Sequence, residues 1–347
     1  MALQLNGTAG VTFNDGSNQP AAASPYGLKN LIINGDMRIA QRGTSVTGVT
    51  SNGYYTVDRW FSVCSPASGI GTWTDEQSTD VPTGQGFSHS LKRTCTVADA
   101  SPASTDIAQI LQNIEGQNMI ALKKGTSNAE SATLSFWVKS NKTGTYTVEW
   151  RDGDNNRHIC AAYTITASDT WEKKTITFAG DTVSPFVYDN SSCGNIAFNL
   201  AAGSAFTSGT LATSWASRNI ANLAVGQVNL ADSTSNYINI TGVQLEIGDT
   251  ATPFENRMYS QELAMCFRYY EYQGGYVYSH LYNGSNTVAN IFFAVPKRAA
   301  PTITRDTGSS PAPGFYGNTY FPYSTCYAYW PGSTAANNTN YIADAEL

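Results

Sequence analysis

Charge is scarce in this chain. Asp, Glu, Lys and Arg make up 13% of its 347 residues, about half the usual share for soluble domains. The balance is acidic, with a formal net charge of −6, and Lys and Arg form no run. Duplex binding needs several cations aimed at phosphates, so nucleic acid is not an expected partner. Paired cysteines are also missing. Cys64, Cys95, Cys160, Cys193, Cys266 and Cys326 stand alone, with no C-x-x-C and no histidine at metal-ligand spacing. A chain this long builds its core without disulfide staples, so buried free thiols are expected. No apolar run approaches the roughly 20 residues that span a bilayer. The start, MALQLNGTAGVTFNDGS, lacks a basic region followed by an apolar one. The expectation is synthesis in a cytoplasm without signal peptide or membrane insertion.

Catalytic signatures are equally thin. The three histidines, His89, His158 and His280, sit in strand or turn sequence. There is no G-x-S-x-G elbow, phosphate loop or dinucleotide fingerprint. Asp75 and Glu76 lie in a loop-like stretch without a partnering pattern. No catalytic residue and no cofactor are therefore nominated, and a non-enzyme is expected. Acids assembled from distant strands would escape this reading, so a polysaccharide depolymerase stays as an alternative. Asp152-Gly153-Asp154-Asn155-Asn156 opens like a calcium loop. It then places Arg157 where glycine is needed and Tyr163 where a bidentate glutamate is needed, so a polar hairpin turn is expected instead.

What is abundant is the chemistry of sheets. Tyrosine occurs 20 times and aromatics reach 12%, and Thr, Tyr and Val pack well on pleated surfaces. LKRTCTV (91–97), ATLSFWVKS (132–140), TYTVEW (145–150), CAAYTIT (160–166), WEKKTITF (171–178), NIAFNL (195–200) and YINITGVQLEIG (237–248) alternate apolar with polar residues. Turn residues separate them, as in Asn141-Lys142-Thr143-Gly144. The fold class expected is all-β, a jelly-roll β-sandwich. Residues 1–30, with Asn6-Gly7, Asp15-Gly16 and a Pro/Ala-rich stretch, form an extended N-terminal arm ahead of a body at 31–257. One amphipathic helix stands out, with Leu263, Cys266, Phe267 and Tyr270 on one stripe and Ser260 as N-cap. It opens a smaller C-terminal β domain at 258–347. That domain is rich in aromatics, and Tyr316, Tyr320, Tyr323, Tyr327 and Trp330 are the candidate ligand-binding residues, since aromatic faces with a polar handle suit sugar stacking.

Three stretches together resemble a recurrent family of bacteriophage tail-fibre and virion-appendage proteins. They are NLIINGDMRIAQRGTS (30–45) with GYYTVDRWF (53–61), GVQLEIG (242–248) running on through ATPFENR (251–257), and Glu262-Leu263 through Cys266-Phe267-Arg268-Tyr269-Tyr270. RAAPT (298–302) looks like a further element of the family. The central region is similar to jelly-roll carbohydrate-binding modules, many of which hold a structural calcium. The places of its acids carry Arg38, Thr241 and Gly242 here, so no metal is expected. The resemblance implies a homotrimer in the virion, attached to other virion proteins by residues 1–30 and touching host-surface glycans. A purely structural fibre or adaptor is the alternative. Arg42, Arg59, Glu246 and Glu255, which lie in the first two stretches, are expected to form ion pairs that bracket the two ends of the sandwich.

Overall fold

Strands with one apolar face need a second layer to cover it, and residues 45–247 meet that need with two antiparallel sheets face to face. The computed structural model describes residues 4–6, 10–12, 18–19 and 29–347, except 282–285, 309–312, 318–322 and 332–337. One sheet has six strands, in the order β13 (Glu172–Phe178), β10 (Ala132–Ser140), β16 (Tyr237–Ile247), β8 (Ser90–Val97), β7 (Thr72–Ser78) and β4 (Ser45–Val49). The other has seven: β15 (Ala216–Ser217), β12 (Arg157–Ile165), β11 (Gly144–Asp152), β14 (Ser192–Ala202), β9 (Ile107–Glu115), β6 (Phe61–Ser65) and β5 (Gly53–Tyr54). The fold is all-β, as its composition implies. Within the expected arm, β1 (Gln4–Asn6), β2 (Gly10–Thr12) and β3 (Asn18–Gln19) form a small antiparallel sheet.

Alternation fills the interior. Leu134, Phe136 and Val138 of β10 and Ile238, Ile240, Val243 and Leu245 of β16 point at Val148, Trp150, Ile196 and Phe198 from the facing sheet. The Phe136 ring meets Phe198 and Tyr163 edge-on, with centroids 5.0 and 5.1 Å away. Each such side chain, fully buried, contributes about 1.5–3 kcal/mol. All six cysteines are buried and free. An ion pair is also enclosed between the sheets. Arg93 Nε lies 3.3 Å from Asp75, and its guanidinium donates to the Gln109 carbonyl over the Trp73 ring.

The two ends of the sandwich meet, but not as a strand pair. β16 is bonded to β10 along its length and to β8 only over Tyr237–Ile240. The free edge beyond is taken by residues 30–35. Leu31 N–H donates to Leu245 O at 2.9 Å, Val243 N–H donates to Gly35 O at 2.9 Å, and the Asn30 amide bonds Val243 O and Leu245 N–H. A Cβ on Gly35 would sit 2.1 Å from Val243 O, so only glycine permits this approach.

After the sandwich comes α2 (Tyr259–Phe267), which follows the single-turn α-helix α1 (Ser204–Thr207) among the described residues. Met258, not Ser260, holds its N-cap position, with no side-chain cap. Glu262 turns inward instead and accepts from Asn34 N–H at 2.5 Å and from Arg257. Two small sheets follow: β17 (Tyr270–Tyr278), β23 (Asn338–Asp344) and β20 (Thr302–Gly308), then β18 (His280–Leu281), β19 (Thr287–Phe292), β22 (Thr325–Trp330) and β21 (Gly314–Gly317). Ala289, Ile291, Phe293, Cys326, Ala328, Trp330, Tyr341 and Ala343 form their shared core.

The bracket residues correct the pairing expected from sequence. Arg42 and Arg59 reach Glu346, not Glu246 or Glu255. Arg59 is fully buried, with its guanidinium 3.5 Å from the Tyr269 ring centroid. Arg42 stacks the same way on Tyr270 and lies 3.9 Å from Asp58. Glu255 holds the ends of the sandwich through backbone, accepting from Lys29 and Asn30 N–H, and Glu246 accepts from Thr252 and Gln244. The arginines thus join the sandwich to the C-terminal sheets. Residue spacing could not show this, because Glu346 lies far along the chain.

Burial pushes the Asp58 carboxyl up to about 6, against the partial offset of Arg42 and Gln41. It therefore binds its proton more tightly folded than unfolded. Its contribution to stability is fully present below the ordinary carboxylate range and falls by at most about 3 kcal/mol as pH rises through 6. Urea midpoints between about pH 4 and 6.5 should show this slope in the wild type and a flatter one in Asp58→Asn. Equal slopes would assign the effect to another group.

Candidate functional site

The outward face of the four-stranded sheet gathers the exposed aromatics. On β22, Cys326, Ala328 and Trp330 point in, so Thr325, Tyr327 and Tyr329 point out. On β19, Thr287, Ala289 and Ile291 point in, leaving Val288, Asn290 and Phe292 outside. Register then places Tyr316 of β21, Tyr327 of β22 and Asn290 of β19 in one row. The Tyr316 and Tyr327 rings stack with centroids 5.3 Å apart and planes 19° from parallel. Tyr329 meets Tyr316 edge-on at 6.2 Å. Gly314 makes room, since a Cβ there would lie 2.8 Å from the Tyr316 ring. With Val288 these residues line an open hollow of about 460 Å³.

Of the residues nominated from sequence, Tyr316 and Tyr327 come together, 49% and 38% exposed. Tyr323 is 47% exposed in the turn before β22 but does not line the hollow. Tyr320 lies outside the described residues. Trp330 is a correction: it is fully buried in the C-terminal core, because it has the parity of Cys326 and Ala328 rather than that of Tyr327. Val288, Asn290 and Tyr329 were missed. The alternation of 287–292 marks Asn290 as outward, but nothing local says which residue of β22 it faces. Chemically, two stacked phenol rings offer flat apolar faces, and the Asn290 amide offers a donor and an acceptor beside them.

One buried cluster imitates a catalytic triad. Cys160 Sγ lies 3.7 Å from His158 Nδ1, which lies 3.0 Å from Glu149 Oε1. The thiol is pushed far up by burial and by the Glu149 charge. Burial would also raise Glu149, but hydrogen bonds from His158 and Arg218 outweigh it and hold the carboxyl below its ordinary value. A buried, fully protonated thiol is no nucleophile. The cluster ties β11 and β12 to residues 218–219 instead.

The Asp152–Asn156 loop is the hairpin between β11 and β12. Its first acid meets an ammonium. Lys124 Nζ lies 2.6 Å from Asp152 and 3.2 Å from Asp181, donates to the Ser184 carbonyl at 2.7 Å, and sits over the Phe186 ring. Among the described residues, no three His, Cys, Asp or Glu side chains gather as metal ligands. No helix among them is long and apolar enough to cross a membrane.

No protein-family model and no curated protein sequence matches the chain. Solved structures share its shape distantly. The enzymatically active domain of tailspike protein 4 from bacteriophage CBA120 aligns over 63% of this chain at 13% identity and a TM-score of 0.34, and the chain covers 21% of that protein. A putative sugar-binding protein from Bacteroides thetaiotaomicron aligns over 63% of this chain and all of its own, at 14% identity and a TM-score of 0.34. A family 11 carbohydrate-binding module from Clostridium thermocellum aligns over 60% and 98%, at 12% identity and a TM-score of 0.28.

Lys124→Met should leave the buried Asp152 without its counter-ion, while Asp181 keeps Arg157, and should cost about 3–5 kcal/mol of stability in urea unfolding. A loss below about 1 kcal/mol would mean that water reaches the Asp152 carboxylate.

Proposed function

We propose that this chain is a tail-fibre-like bacteriophage virion protein that contacts host-surface glycans without cleaving them. The contact surface is the tyrosine face of the C-terminal sheet. What carries this is the Tyr316–Tyr327 stack, held solvent-exposed in register with Asn290. Large aromatic rings are normally spent on cores, and here their neighbours of opposite parity already fill one. Exposed rings beside an amide suit the apolar faces and hydroxyls of a sugar. Support for the virion setting comes from the three sequence stretches that resemble phage appendage proteins. In this reading the chain is made in the host cytoplasm, the arm read as residues 1–30 docks it on the particle through residues 1–28, since Lys29 and Asn30 are bonded to Glu255, and a homotrimer multiplies weak contacts into avidity.

The test uses the whole chain, because buried arginines tie the C-terminal sheets to the sandwich. Binding to host cells and to a glycan array should be positive, and Tyr327→Ala should weaken it about tenfold, as expected for one lost stacking surface. Silence across host and non-host cells would overturn the receptor reading. Incubation with host polysaccharide should release no oligosaccharide; release that a carboxylate substitution abolishes would make the protein a depolymerase.

Removing residues 1–28 should keep the fold, since Lys29 and Asn30 are retained with their Glu255 contacts. It should prevent incorporation into particles, scored by immunoblot of purified virions. Normal incorporation would contradict the docking role.

A further inference from the structure

The outer face of the six-stranded sheet carries a second groove, of about 430 Å³. This falls within the range of small-molecule sites, roughly 300–1,000 Å³. Its floor is the half-buried Trp137 of β10, in register with Lys173 on β13 and Thr241 on β16. One wall is the ring pair Phe87 and Phe254, edge to face at 5.1 Å. A β-bulge shapes the site. Ser135 faces Gln244 and Trp137 faces Thr241, so both Gly242 and Val243 stand opposite Phe136. Gly242 has φ +61°, and a Cβ there would come within 2.6 Å of the Phe87 ring. Glycine at this bulge is what lets that ring lie over the strand. The same bulge turns Val243 N–H toward Gly35, so it also has a structural duty.

Three polar side chains at the groove have no side-chain partner among the described residues, the exposed amides of Gln85 and Asn256 and the exposed Lys173 ammonium, whereas Thr252 is bonded to Glu246. Other lysines of the sheet are matched. Lys92 pairs with Glu76, Lys139 with Asp80, and Lys174 with Glu172. Lys173 is left beside an indole, on a chain whose net charge of −6 disfavours anions elsewhere.

We propose that this groove binds a carboxylate-bearing oligosaccharide. A sugar ring lies on the Trp137 indole, its carboxylate accepts from Lys173 Nζ, and the Gln85 and Asn256 amides take ring hydroxyls. An indole alone would accept any sugar; the unmatched ammonium selects an acidic one. The groove and the tyrosine face lie on different sheets and share no residue, so either site can fail without the other.

Calorimetry on the full chain tests this with trigalacturonate, trisialate and a hyaluronan tetrasaccharide, against uncharged maltotetraose and a glutamate-rich peptide. At least one acidic saccharide should bind about tenfold tighter than maltotetraose, and the preference should fade with salt. Trp137→Ala should lower that affinity about tenfold or more. Lys173→Gln, at an exposed position, should remove the salt dependence and the acid preference while sparing residual neutral-sugar binding. Tyr327→Ala should change neither. Absence of binding by all three acidic saccharides, equal binding of the peptide, or binding indifferent to both groove substitutions would each overturn the proposal.

Discussion

An open edge on a central strand is the constraint around which this molecule is organised. β16 leaves its second half without a neighbour on one side, and unpaired backbone groups at that depth are costly. Residues 30–35 supply the partners, and the side chains of Asn30 and Asn34 have further tasks. Asn30 bonds both sides of the Val243–Leu245 backbone. Asn34, at φ 55°, bonds Ile39 and the Asp58 carbonyl with its amide and accepts from the Trp60 indole on its carbonyl. Its N–H meets Glu262, so the helix α2 is fixed by the same turn that closes the sandwich.

From that closure the position of the C-terminal sheets follows. α2 lays Cys266 against Ile33 and Ile39, and Tyr269 under the Arg59 guanidinium. Arg268 forks onto Glu115 at the end of β9, and Arg298 donates to carbonyls at both Asn190 and Ala345. The junction is ionic, and its Arg59–Glu346 pair is buried. Breaking one partner of such a network leaves a buried charge, which makes it a rigid joint rather than a hinge.

Much of the sandwich was legible because alternation is a local property. The stretches 91–97, 132–140, 145–150 and 237–248 fall within strands β8, β10, β11 and β16 almost residue for residue. β9 was not legible. Its Ile107, Ile110, Leu111 and Ile114 have the spacing of a helix face, yet the strand is buried on both faces by the facing sheet and by residues 202–224. When both faces are covered, the period-two signal disappears. Ser260 failed as a cap for a related reason: a cap is local chemistry, but the tertiary partner Asn34 reached Glu262 and set where the helix begins.

The sequence by itself determined the sheet class and the turns, because each depends on a residue and its near neighbours. Only the tertiary structure decided which charges meet and which aromatics face solvent. Arg59 finds Glu346 across most of the chain, and Tyr327 stacks on Tyr316 while Trp330, three residues on, is enclosed. Those outcomes depend on strand order and register, which bring distant residues to one row and are written in no single stretch of the chain.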